Sequence, residues 1–313
     1  AILLQFKFEL HAFAEKLGMS DLKAIMQFVL ITFIILPVLP NRAFGPFEVL
    51  NPFETWLMVV LIVGMSLGGY IIYKFFGRDA GILLGGVIGG AISSTATTVS
   101  YGRRAKDNAS SSRIASIVIM IASTVVFARV LIEIAVVSPE MFRIAAPPII
   151  VFMLVVMVPS LVLWYRVRNE SSQMPEPENP TQLKSAITFG VMYSLVLFAL
   201  AATQYYLGQT GLYFVAALSG LTDMDAITLS TARMADSDPL IMAYGWRLIV
   251  IGSMANLVFK ALLAGSLGGW HFMKQITALF AIPFIGGVLI LLLWPDTGFS
   301  LVKVISTTAL QHG

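Results

Sequence analysis

The sequence predicts an all-α polytopic membrane protein built from two four-element repeats, each carrying one broken or re-entrant helix. Three observations predict it. Hydrophobic residues make up 58% of the 313 positions, charged residues only 12%, and the mean hydropathy is +0.86. Apolar runs long enough to cross about 30 Å of hydrocarbon recur along the chain, and their helical length excludes an outer-membrane barrel of short alternating strands. Finally, the polar stretch Gly220-Leu221-Thr222-Asp223-Met224-Asp225-Ala226-Ile227-Thr228 sits inside a long apolar run and has an echo upstream. Setting Gly90 on Gly220 places Ser93 on Asp223, Thr95 on Asp225, Ala96 on Ala226, Thr98 on Thr228 and Arg103 on Arg233.

The elements follow in order. Residues 1–20 alternate apolar and charged positions at helical spacing, which predicts an amphipathic helix at the membrane surface. Ser20 or Asp21 is placed to cap a first span over 21–40, closed by Pro37 and Pro40. Repeat 1, residues 53–165, opens with a span whose Gly64 and Gly68 form a small-residue face. Next comes a glycine- and hydroxyl-rich stretch over 80–102, where Gly89 and Gly90 loosen the backbone and Ser93, Ser94, Thr95 and Thr98 can satisfy its freed groups. A span from Ile114 to Val137 follows, in which Arg129 and Glu133 share a face one turn apart, and then a span that starts at Pro147-Pro148. Residues 166–183, with Pro175, Pro177 and Pro180, read as a polar linker. Repeat 2, residues 184–294, has the same order, and 295–313 form a polar tail. Trp56, Trp164, Trp270 and Trp294 fall near span ends, as interface anchors do.

Charge decides between two topologies. If all nine apolar stretches cross, the basic residues outside them divide almost evenly between the two faces. If the two hydroxyl-rich stretches instead dip in and return, only Arg42, Arg143, Arg233 and Lys303 lie on the face away from the N-terminus. That is the asymmetry expected of loops sorted by positive charge, so seven crossings plus two re-entrant segments are favoured. Each unit then crosses an odd number of times, which makes the repeats inverted, a recurrent transporter and channel plan.

An Asp near the bilayer centre costs about 3 kcal/mol on insertion scales, so Asp223 and Asp225 mark a functional site by default. With Thr222, Thr228, Ser93, Ser94, Thr95 and Thr98 they offer hard oxygen ligands. Asp223 and Asp225 are therefore the candidate metal ligands for Mg²⁺, Mn²⁺, Ca²⁺ or Na⁺, or carriers of a proton, and no other cofactor is expected. Arg129, Glu133, Arg247 and Lys260 are the candidate intramembrane counter-charges. Two plainer roles stand beside these: Asp223 as a helix N-cap, and Asp225 paired with a cation in a purely structural cluster. An excess of cations would instead favour an anion pathway.

With no cysteine and three scattered histidines, thiol chemistry, iron–sulfur clusters and paired-His zinc sites are excluded. Both Asp lie in one segment without the Gly-x-Gly-Asp stretch of intramembrane aspartyl proteases, and no Walker A pattern is present, so no enzyme is expected. A net charge of +3 reads as a topology signal and implies no nucleic-acid partner.

Gly89-Gly90-Ala91-Ile92-Ser93-Ser94-Thr95-Ala96-Thr97-Thr98 and Asp223-x-Asp225-Ala226-Ile227-Thr228 resemble the C-terminal membrane domain of unknown function of bacterial MgtC/SapB-type proteins. The resemblance covers nearly the whole chain. It implies a bacterial inner-membrane, multi-pass protein, an N-terminal MgtC-like domain missing from this chain, and a link to magnesium homeostasis that belongs to that missing domain. The absence of an initiator Met agrees with a processed or partial chain. Together these readings point to a transporter or channel for an inorganic cation in contact with the lipid bilayer, with a homo-oligomer as a further expectation. The alternative is a regulatory membrane protein that binds a partner within the bilayer.

Overall fold

The computed structural model describes residues 18–76, 81–106, 109–167 and 183–295. The surface helix expected over 1–20, the linker over 166–183 and the tail over 295–313 therefore lie almost wholly outside the described residues.

Every described element is helical apart from one isolated bridge between Phe44 and Leu50. Helix α1 runs from Met19 to Val29, widens into a π turn over Leu30–Ile35 and closes with Leu36–Val38. After a loop come α2 (Pro52–Phe76), α3 (Ile82–Arg104), α4 (Ala109–Val137) and α5 (Pro139–Val167). Then follow α6 (Leu183–Thr222), α7 (Met224–Ala235), α8 (Pro239–Gly268) and α9 (Trp270–Leu293). Among the described residues, eight helices are long and apolar enough to cross a membrane; one is the part Leu183–Gly208 of α6, which is interrupted at Gly208 and whose remainder, Gly211–Thr222, is a shorter apolar helix. The chain is a multi-pass membrane protein.

Burial divides these helices into an inner and an outer set. Helix α4 and helix α8 have 78% and 67% of their apolar windows buried, against 33% for α5 and 28% for α9, so the first two form the centre and the others face lipid. Polar side chains follow the same division, since Ser123, Arg129, Glu133, Ser253, Asn256 and Lys260 are all buried on the two central helices.

Several local expectations are corrected. The first helix begins after Gly18, whose amide donates to Asp21 Oδ2, so Asp21 acts from the first turn rather than as the cap. Asp21 is buried, receives Tyr70 Oη at 2.5 Å and Lys74 Nζ at 3.1 Å, and thereby ties α1 to α2. Trp56 donates its indole N–H to the Ile31 carbonyl in the π turn, so it links two helices besides lying near a span end. On α2, Gly64 meets the Phe28 ring, and Gly69 rather than the exposed Gly68 touches Ala91. Helix α5 starts at Pro139, eight residues before Pro147 and Pro148, which lie inside it with Pro159. The basic and acidic residues Arg143 and Glu140 are thus on its first turns.

The closest backbone approaches are made by two glycines at related positions. A Cβ on Gly90 would lie 2.7 Å from the Ala122 carbonyl oxygen of α4, and one on Gly220 would lie 2.2 Å from that of Gly252 on α8. Backbone cannot yield as a flexible side chain can. Gly220→Val is expected to abolish the monodisperse folded protein in detergent, whereas Gly68→Ala leaves its elution and melting midpoint unchanged; size-exclusion chromatography with thermal melting checks both.

Candidate functional site

Helix α3 is interrupted at Ser93, whose φ of −166° and ψ of 110° are extended. Helices α6 and α7 are separated by Asp223, with φ −151° and ψ 121°. The two breaks fall on the positions that the sequence echo equates. They are stitched in parallel ways. Ser93 Oγ accepts the Ala96 amide at 3.2 Å, while Asp223 Oδ1 accepts the amides of Asp225 at 2.8 Å and Ala226 at 3.2 Å. Each polar side chain thereby caps the helix that follows it.

At Ser93 the chain doubles back. A Cβ on Gly89 would lie 2.6 Å from Thr97 Oγ1, and one on Gly85 would lie 3.2 Å from Tyr101 Oη. In a straight helix the rise between Gly85 and Tyr101 would be about 24 Å. The second break behaves alike, since a Cβ on Gly252 would meet both the Ala216 carbonyl at 3.4 Å and Ile227 Cγ2 at 3.0 Å, from opposite sides of Asp223. Although Ile82–Arg104 is long and apolar enough to span a bilayer, each of its arms is about 16 Å long, half of a hydrocarbon core.

The breaks gather charge around them. Arg129 of α4 donates from Nη2 to Asp225 Oδ2 at 2.6 Å, and its Nη1 lies 3.4 Å from the carbonyls of Ala91 and Ile92 at the end of the first arm of α3. One guanidinium thus bridges the two interrupted elements. Arg129 is 8% exposed and the Asp225 side chain 18%, so the contact is largely shielded, which strengthens a charge-assisted hydrogen bond. Glu133, expected to neutralise Arg129 from one turn away, does not pair with it. Its carboxyl group is fully buried beside that of Asp225, near enough for the two acids to share one proton, and no N–H or hydroxyl of a described residue reaches its oxygens. Lys260 of α8 is 1% exposed, reaches Ser123 Oγ at 3.4 Å and lies within electrostatic reach of Asp225.

Of the other candidates, the hydroxyls are held by their own helices. Thr98 Oγ1 donates to the Ser94 carbonyl, Thr228 Oγ1 to that of Met224 and Thr222 Oγ1 to that of Ser219. Such bonds satisfy the side chain locally. Ser94 is buried and Thr95 half-buried beside the first break. Arg247 is not brought to the site: it donates to the Leu291 carbonyl at 3.2 Å and lies over the Trp246 ring, between three and four turns from Lys260 on α8. Among the described residues, no group of three or more His, Cys, Asp or Glu is close enough to hold a metal ion. Asp223 and Asp225 are each already engaged through one oxygen.

Two participants escaped the sequence reading. Asn256 of α8 donates to the Gly220 carbonyl at 3.1 Å, serving the second break as Arg129 serves the first. Arg233 grips Glu54 of α2 through both Nε and Nη2, which fixes the far end of α7. Asn256 was detectable as an amide inside an apolar span; the Glu54 partnership carries no local signal.

A family model described as a domain of unknown function (DUF4010) matches residues 60–268, a stretch that contains both breaks and the whole charge cluster. This chain belongs to the DUF4010 family. The DUF4010 chain is also similar to an uncharacterized protein of Aquifex aeolicus (strain VF5), at 26% identity over 182 residues, 58% of this chain and 79% of the relative. No solved structure matches it.

The cap at the second break yields a prediction for this DUF4010 protein. Asp223→Ala removes the acceptor for two amides and is expected to cost about 1 kcal/mol, read as a lowered melting midpoint in detergent. Asp223→Asn, which caps equally well, restores most of that loss. Equal destabilisation by both would show that the negative charge, and not the cap, matters to folding.

Proposed function

We propose that this chain is a bacterial inner-membrane transporter or channel for an inorganic cation, whose pathway passes between two re-entrant helical hairpins. The observation that carries the reading is the pair of breaks at Ser93 and Asp223, which meet at one buried charge cluster through Arg129. A protein that only needed to span the bilayer would have no use for two interrupted helices, since each break removes intrahelical hydrogen bonds where water is absent. Discontinuous helices meeting near the midplane are how many transporters create an ion site.

The make-up of the cluster favours a cation over an anion, since three acids, Asp223, Asp225 and Glu133, stand against two bases, Arg129 and Lys260. The doubling back at Ser93 and around Asp223 supports seven crossings with two inverted units, the arrangement that also collects positive loops on one face. The bacterial relative agrees with an inner-membrane location.

A second reading has its own observation. The Arg129–Asp225 pair is what a static structural cluster would contain, and on that reading the protein is a regulatory membrane component that moves nothing. Reconstituted vesicles separate the two. Asp225→Asn is expected to abolish cation flux in proteoliposomes while the protein still inserts and elutes as the wild type does. Undiminished flux in this variant, or none in the wild type, would remove the transport reading.

A further inference from the structure

Away from the breaks, a polar cavity of about 500 Å³ lies between the loop that precedes α2, the α6 helix and the end of α7. Its wall includes Glu48, Asn51, Glu54, Gln204, Arg233 and Asp238. Two of the acids are already engaged: Asp238 caps α8 through the Leu240 and Ile241 amides and accepts the Gln204 side-chain amide, and Glu54 is gripped by Arg233. Glu48, by contrast, is exposed and has no side-chain partner among the described residues. The backbone that presents it is strained, since Phe47 and Glu48 have φ of 65° and 51°, in the left-handed region that glycine alone enters freely. The Phe47 ring secures this turn, with its centroid between 5.6 and 6.2 Å from those of Phe198, Tyr205 and Tyr206. A second, independent observation lies beneath the cavity. Tyr193 of α6 is 1% exposed, its hydroxyl has no partner, and the charges within its electrostatic reach are those of Arg233 and Glu54, the pair at the cavity wall. A hydroxyl buried unpaired is unfavourable, and this one can both donate to and accept from whatever arrives past the pair.

Resting on the transport reading above, we infer that this cavity is the outer mouth of the pathway, where Glu48 collects a hydrated inorganic cation before it passes the Glu54–Arg233 pair and Tyr193 toward the second break. Three acids against one base make the cavity attractive to cations and repellent to anions. Its volume is many times the roughly 30 Å³ that one water takes up, so an ion can enter with its hydration shell and be held through water by Glu48. On the seven-crossing arrangement the loop before α2 and the end of α7 lie on the face with few basic residues, where an arriving cation meets little repulsion. From Arg233 the way inward is short, since Asp225 is on the same helix just over two turns away. Glu48 thus sets the apparent affinity for the cation, and Tyr193 serves its passage beyond the mouth.

The chain has no cysteine, so Glu48→Cys introduces a single thiol whose charge can be set chemically. Flux is measured in proteoliposomes with sodium, potassium or magnesium chloride supplied on the side of the cavity. Glu48→Cys is expected to raise the half-saturating concentration at least threefold and to leave maximal flux within twofold of the wild type. An anionic sulfonatoethyl methanethiosulfonate restores the wild-type value, whereas a cationic trimethylammonioethyl methanethiosulfonate raises it at least tenfold. A purely structural Glu48 predicts that both adducts act alike, and that result overturns the inference. Tyr193→Phe is expected to lower maximal flux at least threefold at an unchanged half-saturating concentration; unchanged maximal flux makes the cavity a dead end and overturns its role as the mouth. A flux-independent arm follows the rate at which the cationic reagent modifies the thiol of Glu48→Cys in detergent. The transported cation is expected to slow it saturably, at least threefold beyond N-methylglucamine chloride of equal ionic strength. Flux without such protection overturns this inference alone. Protection without any wild-type flux overturns the transport reading and leaves the cavity a cation site that leads nowhere.

Discussion

A helix interrupted inside a packed interior exposes amides on one side of the break and carbonyls on the other, and where water is scarce the protein must supply partners for both. Most of the interior is arranged around that demand. On the amide side, Ser93 and Asp223 cap the helices that follow them. On the carbonyl side, Arg129 reaches Ala91 and Ile92, and Asn256 reaches Gly220. The glycines at Gly90 and Gly220 let the broken elements lie against α4 and α8 closely enough for those side chains to arrive.

The two breaks share a geometry but differ in charge. The first is capped by a hydroxyl and has threonines whose hydroxyls return to their own helix, so it is neutral. The second has two carboxylates, one spent on capping and one turned toward α4. Its carbonyl partner is correspondingly a neutral amide, whereas the neutral first break receives the cationic guanidinium. Arg129 therefore satisfies the carbonyls of one interrupted element and the carboxylate of the other at once, which makes their contact electrostatic as well as steric. The cost of burying these charges is offset only while the two elements stay together.

Further from the breaks, polar contacts fix orientation. Glu54 and Arg233 tie α2 to the end of α7, and Asp21 with Tyr70 and Lys74 ties α1 to α2. Tyr193, buried on α6, offers its carbonyl to Ser230 of α7. The element that carries Asp225 is thus held along its length by neighbours on several helices, while its acidic end meets α4.

The amino-acid order by itself determined what depends on neighbours along the chain. Spans, their approximate ends and the two interruptions were legible because hydropathy, glycine and capping residues act within a few positions; even the equivalence of Ser93 and Asp223 followed from the echo. A helix start is less legible where proline stands near it, as at Pro147, because proline inside a membrane-spanning helix is tolerated once neighbouring groups satisfy the carbonyl it leaves free. The tertiary structure alone decided the partners. Spacing along one helix suggested that Arg129 would neutralise Glu133, yet its carboxylate partner is Asp225, 96 residues away, and Arg247, equally charged and equally inside a span, is used elsewhere. Which cation meets which acid is a matter of how whole helices pack, since Coulomb attraction in a dry interior acts through space and takes no account of distance along the chain.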